Sequence, residues 1–80
     1  MTGERILIVD DEKAIRRLLQ QKLLGEGYQC QEAGSAEQAL GGLQAGALEL
    51  VLLDIKMPGK SGVELLPEIR ANYPDIAVIM

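Results

Sequence analysis

The sequence is short of aromatic residues, cysteine and basic residues, and each shortage narrows what the chain is. It has no Phe and no Trp, and its 2% aromatic content is Tyr28 and Tyr73 alone. A core built from it is therefore aliphatic. A single cysteine, Cys30, excludes an intrachain disulfide and fits a reducing compartment. No apolar run approaches the length of a membrane span, and the first residues lack the basic, apolar and small-residue order of a secretory signal. Eight Lys and Arg against twelve Asp and Glu leave a net charge of −4, with no basic run beyond Arg16-Arg17. That balance argues against a direct nucleic-acid surface. No internal repeat, low-complexity tract or linker breaks the chain. Eighty residues, 48% of them apolar, make one small globular domain. The expectation is a soluble, cytoplasmic protein with no membrane contact.

What is present alternates. A first strand is predicted over Arg5 to Val9 and a helix over Glu12 to Leu24, with Ile15, Leu18, Leu19 and Leu23 on one inward face. Gly25 and Gly27 supply stop and turn signals. A second strand covers Gln29 to Ala33. Ser35 and Gln38 have the spacing of a capping box at the start of the second helix, which turns Ala39, Leu40 and Leu43 inward. Gly41 and Gly42 each cost that helix about 1 kcal/mol relative to Ala, so it is expected to be short or frayed. Leu50 to Leu53 forms the third strand. Ser61 and Glu64 make a second capping box, opening a helix that runs to Asn72 with Pro67 inside it. Ile76 to Met80 is the fourth strand. The order β-α-β-α-β-α-β calls for a parallel sheet with right-handed crossovers, an α/β fold.

Two of these strands end in acid. Ile6-Leu7-Ile8-Val9 runs into Asp10-Asp11, and Leu50-Val51-Leu52-Leu53 runs into Asp54. Apolar runs without polar alternation read as strands buried on both faces. In a parallel sheet their carboxyl ends share one edge, where open α/β sheets bind ligands. Carboxylates crowded there repel one another unless a cation joins them. Each residue also has a plainer reading. Asp11 is suited to cap the first helix and Asp54 to cap a loop. The residue pattern leaves both readings open.

Ile6 to Glu12, together with Asp54-Ile55-Lys56-Met57-Pro58-Gly59-Lys60-Ser61-Gly62, resembles the receiver domain of bacterial response regulators. Gly27-Tyr28 and Ala33 to Leu40 are similar to that family's second strand and helix, so the likeness covers essentially the whole chain. The resemblance implies a flavodoxin-like doubly wound sheet of strand order 2-1-3-4. It implies a phosphorelay function in two-component signalling, with Asp54 as phosphoacceptor for a phosphoryl group held on a histidine kinase. It also implies Mg²⁺, held by Asp10, Asp11, Asp54 and the backbone carbonyl of Lys56. Met57, Pro58 and Gly62 are expected to shape the loop. Lys56 and Lys60 are expected to be solvated, the Arg16-Arg17 pair to lie on the wet face of the first helix, and Cys30 to be a buried, inert thiol.

Against the family pattern, residues 1–80 are expected to form a single receiver domain that stops after the fourth strand. The family's fourth helix, fifth strand and fifth helix find no counterpart within these residues. Nor do the hydroxyl residue that ends the fourth strand in the family and the lysine that ends the fifth. Phosphorylation of Asp54 is therefore expected to be slow or uncoupled. The edge Ile-Ala-Val-Ile-Met carries no charge and no Pro, so a homo-oligomer or swapped dimer through it is expected. The leading function is a regulatory module, not an enzyme, relaying a signal to an output domain in a longer parent. Gly62 to Arg70 looks like receivers attached to transcriptional activators. The alternative is a receiver fragment or building block without signalling competence. An aspartate-nucleophile phosphatase would need a second acid two residues past the nucleophile, where Lys56 stands.

Overall fold

A computed structural model describes residues 3–80. The elements follow one another as β1 (Arg5–Val9), α1 (Lys13–Gly25), β2 (Gln29–Ala33), α2 (Ala36–Ala45), β3 (Leu50–Leu53), α3 (Gly62–Asn72) and β4 (Ala77–Ile79). The four strands form one parallel sheet in the order β2-β1-β3-β4. Fold class and strand order are as the sequence predicts. Strand β4 is shorter than expected, ending at Ile79 and beginning at Ala77.

The register divides the side chains of the sheet into two sets. Leu7 pairs with Val51 and Val9 with Leu53, and these residues face α2 and α3 across a core completed by Ala39, Leu43, Leu65 and Ile69. That side is filled by aliphatic side chains, as the shortage of aromatics requires. The opposite side carries Ile6, Ile8, Leu50, Leu52 and Ile79, with α1 packed over β1 and β2.

This arrangement corrects two expectations. Strand β1 is buried on both faces, but β3 is not, because Leu50 and Leu52 are only half-buried. Helix α1 has no buried residue: Leu19 and Leu23 are half-covered, while Ile15 is 39% and Leu18 61% exposed. The cause is coverage. Among the described residues α1 is the helix on that side, and it lies over β1 and β2 rather than β3 and β4.

The helix ends show how local chemistry sets the boundaries. After α1, Gly27 adopts φ 94°, its N–H donates to Leu24 O, and the Tyr28 N–H donates to Leu23 O. This is a Schellman motif, which needs a residue that tolerates the left-handed region. The Ser61–Glu64 capping box of α3 is complete, with both reciprocal hydrogen bonds present. Pro67 withholds a donor from Val63, yet α3 continues to Asn72. At α2 the box is shifted. Ser35 Oγ accepts from the Gln38 N–H, but Gln38 Oε1 accepts from Gly34 rather than from Ser35. Helix α2 runs unbroken through Gly41 and Gly42 and is not frayed there.

Candidate functional site

The acids at the strand ends meet because the hydrogen-bond ladders extend one residue past the strands. Beyond Val9, the Asp10 N–H donates to Ala33 O at 3.0 Å. Beyond Leu53, the Asp54 N–H donates to Val9 O at 2.9 Å. Since Val9 pairs with Leu53, Asp10 and Asp54 emerge side by side at the carboxyl edge of the two central strands. Both line a cavity of about 150 Å³, walled by Ile8, Val9, Leu52 and Leu53 of the sheet and Leu19 of α1.

Each of these two carboxylates is also tied to its own loop. Asp10 Oδ1 accepts from the Glu12 N–H at 2.9 Å, and Asp54 Oδ1 accepts from the Lys56 N–H at 3.3 Å. Both are Asx-type turns, which orient the acid through one carboxylate oxygen. Asp11 is exposed and does not cap α1, whose N-cap is Glu12 without any side-chain cap bond. The capping reading of Asp11 is thereby removed.

The carboxylate oxygens that lie within 4.8 Å of one another belong to Asp10, Asp11 and Glu12. Asp54 stands beside this trio rather than within it. Glu12 joins the group in addition to the acids the sequence reading assigns, and its place directly after the acidic pair is the signal for it. Asp11 faces Lys56, Met57 and Pro58 across a wider open cleft of about 510 Å³. The three carboxylates are hard oxygen donors, which suit Mg²⁺ rather than a softer metal.

The loop after Asp54 is held by Gly62. Its N–H donates to Ile55 O at 3.0 Å, and it sits directly against the Asp54 peptide. Met57 is buried in the core while Pro58, Lys56 and Lys60 are exposed. Lys60 is not simply solvated, because its Nζ pairs with Glu68 on α3. Arg16 also departs from expectation. Its side chain is only 16% exposed and bonds Glu32 and the Asp10 carbonyl, whereas Arg17 is 58% exposed as predicted. Cys30 is half-buried rather than buried.

The family model for the response regulator receiver domain matches residues 6–80. The chain belongs to the response regulator receiver family. It is 42% identical over 80 residues to sporulation initiation phosphotransferase F of Bacillus subtilis, covering all of this chain and 64% of that protein. The receiver-family chain thus spans a little under two thirds of that curated relative. Transcriptional regulatory proteins are also among its relatives. Among solved structures it is similar to response regulator protein TrrA of Thermotoga maritima in complex with Mg²⁺–BeF. The TM-score is 0.92 and the identity 47%, covering 96% of this chain and 67% of that one. A second structure, TrrA in complex with histidine kinase ThkA, matches with a TM-score of 0.88 and 47% identity, covering 94% of this chain and 65% of TrrA. No helix among the described residues is long and apolar enough to cross a membrane.

Proposed function

We propose that this receiver domain is a phosphoacceptor and that Asp54 is the residue modified. The observation that carries the reading is the juxtaposition of Asp54 with Asp10 at the paired ends of β3 and β1, beside the Asp10-Asp11-Glu12 carboxylates. In the reaction an Asp54 carboxylate oxygen attacks phosphorus on the phosphohistidine of a kinase. The P–N bond breaks, its electron pair and a proton remain with the imidazole, and an acyl phosphate forms on Asp54. The Asx turn to Lys56 holds Asp54 in place, and Met57, Pro58 and Gly62 shape the loop that frames it.

Asp10, Asp11, Asp54 and the Lys56 carbonyl are the groups that would hold Mg²⁺, which when bound supplies positive charge beside the acceptor. Similarity to TrrA in its Mg²⁺–BeF complex supports that assignment, and similarity to TrrA bound to ThkA supports a histidine kinase as partner. Transcriptional regulators among the relatives support an output domain in a longer parent. A cytoplasmic setting follows from the same reading. For the 80-residue polypeptide by itself, β4 pairs on one side with β3 and offers its other edge to a second copy.

The test is incubation with acetyl phosphate and Mg²⁺, followed by intact mass. Wild type should gain one phosphoryl group, slowly and incompletely, and Asp54→Asn none. Equal incorporation in both, or none in wild type, would overturn the reading.

A further inference from the structure

Arg16 reaches from α1 to the main chain of the acidic edge, and the phosphoacceptor reading leaves it without a role. Its guanidinium makes two directed bonds. Nη1 donates to the Asp10 carbonyl oxygen at 2.6 Å, and Nε donates to Glu32 Oε1 on β2 at 3.1 Å. The Asp10 residue is therefore held at three points: its N–H by Ala33 O, its carbonyl by Arg16, and its side chain by the Glu12 N–H. We propose that Arg16 is a positioning residue for the acidic site, fixing the main chain from which Asp10, Asp11 and Glu12 project, with Glu32 orienting its guanidinium.

Three features support this over a plain surface ion pair. The Arg16 side chain is mostly buried, and a charge-assisted bond to a main-chain carbonyl is stronger and more directional than an exposed ion pair. The β2–α2 turn leaves room for it. A Cβ on Gly34 would lie 3.1 Å from Nη1 and 3.6 Å from Cζ, so the guanidinium would have to give by a few tenths of an ångström. Finally, Glu32 pairs with Arg16 and also with Arg17 at 3.5 Å, so one carboxylate between two guanidiniums leaves net positive charge behind the acidic turn. That charge offsets the mutual repulsion of the trio.

The proposal rests on the reading of the acidic edge as a divalent-cation site, and the experiment separates the two. The full chain is titrated with Mn²⁺, the loss of the free-ion electron paramagnetic resonance signal giving the affinity, and far-ultraviolet circular dichroism checks the fold. Arg16→Met should weaken Mn²⁺ binding about tenfold, as loss of a group that orients metal ligands does. Arg16→Lys keeps a cationic donor for the Asp10 carbonyl and should recover most of the affinity. Gly34→Ala retains Arg16 but crowds its guanidinium, and should weaken binding by a smaller factor; it also serves if Arg16→Met does not fold. A purely structural Arg16 would lower thermal stability without changing Mn²⁺ affinity, and that result overturns the proposal alone. Absence of Mn²⁺ binding by wild type would overturn both the cation-site reading and the proposal.

Discussion

Gly62 lies so close to Asp54 that a Cβ added to it would sit 2.1 Å from the Asp54 carbonyl oxygen and 2.9 Å from its carbon. The obstacle is main chain, which cannot swing aside as a long side chain does. Gly62→Ala must therefore push the β3–α3 loop away from the strand end. The expected loss of stability is about 1–3 kcal/mol, the range for overpacking a tight site. Urea unfolding measures it, and acetyl phosphate labelling of Asp54 should slow in the same variant. Unchanged stability would contradict the close contact.

Ala47 takes φ 66°, the non-glycine residue with positive φ among those described, in the turn between α2 and β3. The left-handed region is unfavourable for a side chain bearing Cβ. Ala47→Gly is expected to raise stability by about 0.5–1 kcal/mol, the relief of strain exceeding the added freedom of the unfolded chain. The urea midpoint should move up with no change in slope.

The two sides of the sheet should respond unequally to mutation. Leu65 is fully buried between α3 and the sheet, while Leu18 on α1 is mostly exposed. Leu65→Ala is expected to cost about 2–5 kcal/mol, and Leu18→Gln within about 0.5 kcal/mol of nothing. Thermal or urea unfolding of the two variants decides it, and equal costs would contradict the uneven coverage.

Burial, and after it the charge of Glu32, push the Cys30 thiol above its ordinary value. The folded state therefore holds the thiol proton more tightly than the unfolded chain does. The corresponding stability is fully present below the unfolded thiol's value of about 8.5, and it is lost as pH rises through the higher folded value. Alkylation by iodoacetamide should be slower in the folded chain than in urea at mildly alkaline pH. Glu32→Gln should shift the pH profile of alkylation downward.

The open edge of β4, with Ile79 and Met80 exposed beside it, is expected to make the isolated 80-residue polypeptide associate as its concentration rises. Ile79→Lys places a charge beside that edge, at a side chain that is already exposed, and should shift the species toward monomer. Light scattering across a concentration series tests it, and a wild type that stays monomeric at high micromolar concentration contradicts the expectation.

Much of this molecule is short-range and so legible in the sequence. Unbroken apolar runs mark β1 and β3, the Ser61 and Glu64 spacing marks the start of α3, and acids directly after two strands of a parallel sheet must share an edge. Those features depend on periods of two to four residues and on the direction of strands, which neighbours in sequence determine. What the tertiary structure decided is coverage and long-range pairing. Whether Leu18 and Leu52 are buried depends on which helix lies over which strand, and α1 lies over β1 and β2. Arg16 left the solvated face because Glu32, sixteen residues away, and the Asp10 carbonyl are brought under it by the pairing of β1 with β2. Asp10 and Asp54 were visible as acids at strand ends, but their side-by-side emergence is set by a register that exists only once the sheet has formed.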